Sequence, residues 1–79
     1  MRARVMVTLK SGVLDPQGKA IEGALKGLAI DGLASVRQGK IFDIEIDGDD
    51  RAAARLRLSE ACERLLANTI VENYAIEIT

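Results

Sequence analysis

Seventy-nine residues make one domain at most, and a chain of this length buries only about 60% of the surface its unfolded form exposes, so its core is marginal. A single cysteine, Cys62, and no histidine exclude an internal disulfide, a zinc site of the usual Cys/His spacing and a Cys-x-x-Cys redox motif, which leaves oligomerisation among the usual sources of extra stability. Eleven basic against twelve acidic side chains, with only Phe42 and Tyr74 aromatic, argue against nucleic acid as a partner, because charge neutralisation and base stacking both lack their residues.

Met1-Arg2-Ala3-Arg4, a short alternating run and then Lys10 are too brief and too interrupted for a signal peptide or a membrane span, so a cytoplasmic location with no membrane contact is expected. Over that run Ala3, Val5, Val7 and Leu9 alternate with Arg4, Met6 and Thr8, the period-two pattern of a half-buried strand. Lys10-Ser11-Gly12 is turn-like, and Asp15-Pro16 then combines a capping side chain with the residue best suited to a first helical position. A helix is expected from Pro16 to between Ala29 and Gly32, with Ile21, Ala24, Leu25 and Leu28 on one face and a Glu22–Lys26 pair outside. Gly18, Gly23 and Gly27 run against helix propensity, the interior ones costing roughly 1 kcal/mol each against alanine. They predict close approach of the helix to the sheet or a neighbouring helix, or else a face pressed on a partner subunit.

Leu33 to Asp47 reads as two strands joined at Gln38-Gly39, the second with Phe42, Ile44 and Ile46 inward and Asp43, Glu45 and Asp47 outward. Gly48-Asp49-Asp50 supplies N-cap candidates for a second helix over about 51–67, with Ala54, Leu58, Ala61, Cys62 and Leu65 as its buried stripe and Asn68 as a left-handed stop. Tyr74 to Thr79 alternates again and closes the chain with a strand. The expected fold is therefore a single α+β domain over 1–79, a two-layer sandwich of β-α-β-β-α-β order. Its antiparallel or mixed sheet carries both helices on one face, as in ferredoxin-like folds. Met6 and Ile41 fall on the opposite face, which predicts that another chain covers part of it.

No constellation of catalytic residues stands out. Without histidine the commonest general base, the triad and histidine-bearing metal sites are all absent. Asp43, Glu45 and Asp47 share a strand face and read as solvated charges rather than a cation site, and Asp47, Asp49 and Asp50 lack the spacing of a calcium loop. Lys10-Ser11-Gly12 lacks the full phosphate-loop pattern and reads as a turn. Arg37 and Lys40 flank the expected hairpin turn as solvated cations, and Cys62 on the apolar stripe reads as a buried inert thiol. Catalytic, cofactor-binding and metal residues are accordingly expected to be none.

The run Val7-Thr8-Leu9-Lys10-Ser11-Gly12-Val13-Leu14-Asp15-Pro16-Gln17-Gly18-Lys19-Ala20 resembles the opening of the PurS family. Val36-Arg37-Gln38-Gly39-Lys40 resembles that family's central hairpin, and Cys62-Glu63-Arg64-Leu65-Leu66-Ala67-Asn68 with Glu72-Asn73-Tyr74 its C-terminal helix and strand. Generic strand and capping rules do not dictate Leu14-Asp15-Pro16-Gln17-Gly18, which makes that stretch the specific part. Ser11 and Thr69 stand where the family often has proline, each loosening a turn by on the order of 0.4–1 kcal/mol.

The resemblance implies the small, non-catalytic assembly subunit of phosphoribosylformylglycinamidine (FGAM) synthase, an ATP- and glutamine-dependent C–N ligase of purine biosynthesis. It implies a glutaminase (PurQ) that releases ammonia and a synthetase (PurL) that uses ATP and Mg²⁺, held together by a dimer or dimer of dimers of the small subunit, which binds no cofactor itself. The partner-interface residues expected are Lys10, Asp15, Gln17, Gly18, Arg37 and Lys40, in segments that carry the resemblance without an evident core role. The alternative is a small-molecule-binding regulatory domain of similar topology, supported by fold analogy alone.

Overall fold

The computed structural model describes all residues, 1–79. Strand β1 (Arg2–Leu9) is followed by helix α1 (Pro16–Gly27), strand β2 (Gly39–Glu45), helix α2 (Arg51–Ala61), a π-helical turn (Cys62–Leu66) and strand β3 (Glu72–Ile78). The sheet is antiparallel throughout in the order β2-β1-β3. Its register sets Val5 between Phe42 and Ile76, and Val7 between Lys40 and Tyr74. The α+β class holds, but the sheet has three strands and not the four expected.

The missing strand is the first half of the expected hairpin. Residues 30–38 have no regular structure, and Gln38-Gly39 leads into β2 rather than turning between two strands. Alternating apolar residues form a strand only when they pair with a ladder, and here Arg37 and Gln38 are tied to the leg before α1, so the chain enters β2 without reversing onto its free edge.

The core lies between the inner sheet face and α2. Ala3, Val5 and Val7 meet Leu58, Cys62 and Ala67, with Phe42, Ile44, Ile46, Leu66, Tyr74, Ile76 and Ile78 around them. Asp50 caps α2 as its sequence predicts, accepting the Ala53 N–H at 3.1 Å. Further along, the Ala67 N–H donates to the Cys62 carbonyl at 3.0 Å, a five-residue reach that inserts one extra residue into the last turn. Leu66 therefore packs against the core in place of Leu65, which is 83% exposed. Asn68 is not a left-handed stop. The chain leaves the helix through an extended Ala67, and the Asn68 side chain instead accepts the Ile70 N–H at 3.2 Å.

Helix α1 does not lie on the sheet with α2. With the segment that follows it, α1 forms an arm whose apolar side chains face solvent, among them Ile21, Leu28, Ile30 and Leu33. Gly23 and Gly27 have nothing near the position a Cβ would take, so within the chain they permit no close packing. The expected Glu22–Lys26 pair is replaced by Lys19–Glu22 at 3.6 Å. The helix ends in a Schellman motif, with Ile30 N–H donating to the Leu25 carbonyl and Ala29 N–H to that of Lys26. Its left-handed position is filled by Ala29, at φ +60°. The arm makes the molecule long, 48 × 25 × 15 Å, with a radius of gyration of 15.9 Å, where a compact chain of this length has about 12 Å.

Candidate functional site: the junction at the base of the arm

Two legs of chain carry the arm, the loop before α1 and the segment entering β2, and they meet around one buried carboxylate. Asp15 is 6% exposed. One of its oxygens accepts the Gly18 N–H at 3.0 Å, capping α1, and the other accepts the Gln38 N–H at 2.7 Å. These two N–H groups, Gln38 first and Gly18 second, with the Arg37 charge nearby, hold the carboxyl below the usual carboxylate range even though burial opposes its ionisation. The Arg37 guanidinium donates to the carbonyls of Val13 at 2.9 Å and Lys10 at 3.0 Å, and the Gln38 amide donates to Gln17 Oε1 at 2.8 Å.

The glycines of the junction are there for close approach. A methyl on Gly18 would sit 2.5 Å from the Val36 carbonyl oxygen and would also strike the Asp15 carboxylate. One on Gly39 would sit 2.7 Å from the Val7 carbonyl oxygen. The sequence Leu14-Asp15-Pro16-Gln17-Gly18 is therefore read by the fold as one device, in which cap, first helical residue, side-chain acceptor and crossing point are fixed together.

Five of the six interface residues expected from sequence, Lys10, Asp15, Gln17, Gly18 and Arg37, are thus brought together. Arg37 is exposed but sits at no hairpin tip, and two of its guanidinium nitrogens donate within the chain. Lys40 stands apart on the inner sheet face, 3.7 Å from Glu72 across β1. Gln38, whose backbone N–H completes the junction, lies in the Arg37–Lys40 segment that the resemblance singles out but is not among the residues expected.

The other candidates are placed as follows. Asp43 pairs with Arg4 at 2.9 Å and Glu45 with Arg2 at 3.6 Å, across the open sheet face. No three His, Cys, Asp or Glu side chains converge so as to hold a metal ion. On that face Met6 lies between Ile41, 58% exposed, and Ala75. Cys62 is fully buried, and burial pushes its thiol pKa up, so the nucleophilic thiolate is disfavoured. Burial, with the Glu63 carboxylate next, likewise raises Tyr74.

The uncovered surface has a measurable size. A monomer of 8.5 kDa is expected to expose about 4,650 Å², whereas this chain exposes 5792 Å². The excess of roughly 1,100 Å² is at least one partner's share of a standard interface, about 800 Å². A three-stranded α+β body bearing an uncovered apolar arm is a docking subunit, a part of something larger.

Comparison with known proteins agrees. The family model PurS, "Phosphoribosylformylglycinamidine (FGAM) synthase", matches residues 2–79. The chain is 48% identical to the phosphoribosylformylglycinamidine synthase subunit PurS of Mycobacterium leprae, over 95% of this chain and 91% of that one. It is similar in structure to Bacillus subtilis PurS, with a TM-score of 0.83 at 42% identity over 96% and 94% of the two chains. A chain in the structure of PurLQS from Thermotoga maritima aligns with a TM-score of 0.89 at 30% identity, over 96% and 93%. This chain belongs to the PurS family, the small subunits of FGAM synthase. The regulatory-domain alternative, which rested on strand order alone, has no observation in its favour.

Proposed function

We propose that this chain is the assembly subunit of FGAM synthase, joining a glutaminase of the PurQ kind to a synthetase of the PurL kind so that ammonia passes from one to the other. The observation that carries the reading is the match, over nearly the whole of both chains, to a chain of a PurLQS structure. The physical support is the uncovered arm and the surface excess, which suit a chain whose work is contact. On this reading ATP, Mg²⁺ and glutamine are handled by the two large subunits, and the small subunit associates as a dimer or dimer of dimers within a cytoplasmic complex. Self-association is supported by the marginal core and by the Met6–Ile41 strip on the open sheet face.

Size-exclusion chromatography of the three purified chains, with and without glutamine, tests the proposal. Co-elution of all three in one peak, lost when this chain is omitted, is the expected result. Co-elution of the two large chains unaffected by its omission would contradict it.

A further inference from the structure

The arm is held to the body by very little, and what holds it is polar. Four hydrogen bonds cross between its two legs: Arg37 to Val13, Arg37 to Lys10, Gln38 N–H to Asp15, and the Gln38 amide to Gln17. Three of the four are exposed, where water competes for the same groups and leaves little net stabilisation. The bond from Gln38 N–H to Asp15 alone is shielded, and it is short and has an ionised acceptor. The same carboxylate caps α1 through Gly18, so one side chain ties the start of the helix to the returning leg. Apolar packing duplicates the tie only in small part, because Ile21, Leu28, Ile30 and Leu33 are 39–70% exposed and Leu25 and Val36 no more than half-buried.

We infer that Asp15 is a positioning residue, the bolt of a latch that fixes the direction of the α1 arm, and that the latched arm is the form in which the chain couples the glutaminase to the synthetase. The inference rests on the assembly reading above and adds to it a named residue and a mechanism. An unlatched arm samples many directions, and a partner that needs one of them binds in proportion to the fraction of chains presenting it. Loss of the bolt therefore acts on the concentration at which the chain works and leaves the maximum activity in place.

The test uses the complete three-chain complex and two variants that attack the latch from opposite sides. Asp15→Asn exchanges one carboxylate oxygen for an amide N–H₂ and removes the charge. Gly18→Ala drives a methyl toward the Val36 carbonyl. Hydrogen exchange of each isolated chain, followed by mass spectrometry, is expected to show faster exchange at the amides of residues 18 and 38, the two that the carboxylate holds, with the β1 peptides unchanged, which establishes that the body is still folded. Glutamine-dependent synthase activity is then titrated with each chain. Half-saturation is expected to move on the order of tenfold upward with the plateau retained, as for a competent fraction reduced to a tenth. Bridging Gln17→Cys and Gln38→Cys with a short bis-maleimide in the Asp15→Asn background is expected to return the titration to the wild-type position.

Unchanged exchange at the amides of residues 18 and 38 would overturn the latch. So would faster exchange with an unshifted titration in both variants, or a bridged variant that is not rescued. A wild-type chain that fails to raise glutamine-dependent activity would instead sink the assembly reading, and the inference with it.

Discussion

The Asp15 carboxylate accepts the backbone N–H of Gln38 at 2.7 Å, joining residues 23 apart in sequence. Because both its oxygens are used by N–H donors, its folded pKa lies below its unfolded one. The stability this provides is fully present above the ordinary aspartate range, near pH 4, and is lost as pH falls through the lowered folded value. Thermal melts of the wild-type chain and of Asp15→Asn are expected to differ at neutral pH, with the difference shrinking as pH falls from about 5 to about 2. A gap that stays constant over that range would contradict the ionised role.

Glycines in one helix are expected to behave oppositely. Gly23→Ala and Gly27→Ala meet open space and should each stabilise the isolated chain by roughly 0.5–1 kcal/mol, the helix-propensity difference. Gly18→Ala, facing the Val36 carbonyl, should destabilise it. Urea titrations of the three variants check this. If partners press on that helix face, the two stabilising changes weaken assembly.

Ala29 holds the left-handed position that ends α1, at φ +60°, where a side chain costs roughly 1–2 kcal/mol. Ala29→Gly is expected to raise stability by about 1 kcal/mol, set against the greater freedom of glycine in the unfolded chain. The thermal midpoint measures it.

The π-helical turn predicts an inversion of the simple helical pattern. Leu65→Ala should fall within about 0.5 kcal/mol of wild type, as surface substitutions do. Leu66→Ala should cost about 1–2 kcal/mol, less than the range for full burial because the side chain is half-buried. Chemical denaturation of the pair decides it. A regular helix would give the reverse order.

These contrasts mark what the sequence made legible. Strand β1, the Asp15-Pro16 and Asp50 caps, the inward Phe42–Ile44–Ile46 series and the closing strand all follow from local pattern, and the structure has them. Leu65 was misplaced because a one-residue insertion in a helix leaves no mark in hydrophobic spacing. The segment from Leu33 to Gln38 reads as a strand because its residues suit one, but strands are made by pairing, and its ties to the leg before α1 carry it into β2 without reversing onto a free sheet edge. Two helices on one face were expected for the same reason, since periodicity finds an apolar stripe and cannot say which chain covers it.

The site was legible in a different way. Asp15, Gln17 and Gly18 stand out through family resemblance in a stretch that no generic rule requires, and Lys10 and Arg37 through the resemblance of the segments around them. The structure supplies the physical reason, a junction closed by the backbone of Gln38, which carries no side-chain signature in sequence. Whether these residues touch partners or orient the arm that does is what the latch variants separate.

Coupling of the two large subunits by this chain is read most directly in their amidation rate, measured with glutamine and, in parallel, with ammonia as nitrogen source, each with and without the chain. Adding the chain is expected to raise the glutamine-dependent rate far more than the ammonia-dependent one. Equal glutamine-dependent rates with and without it would contradict the account.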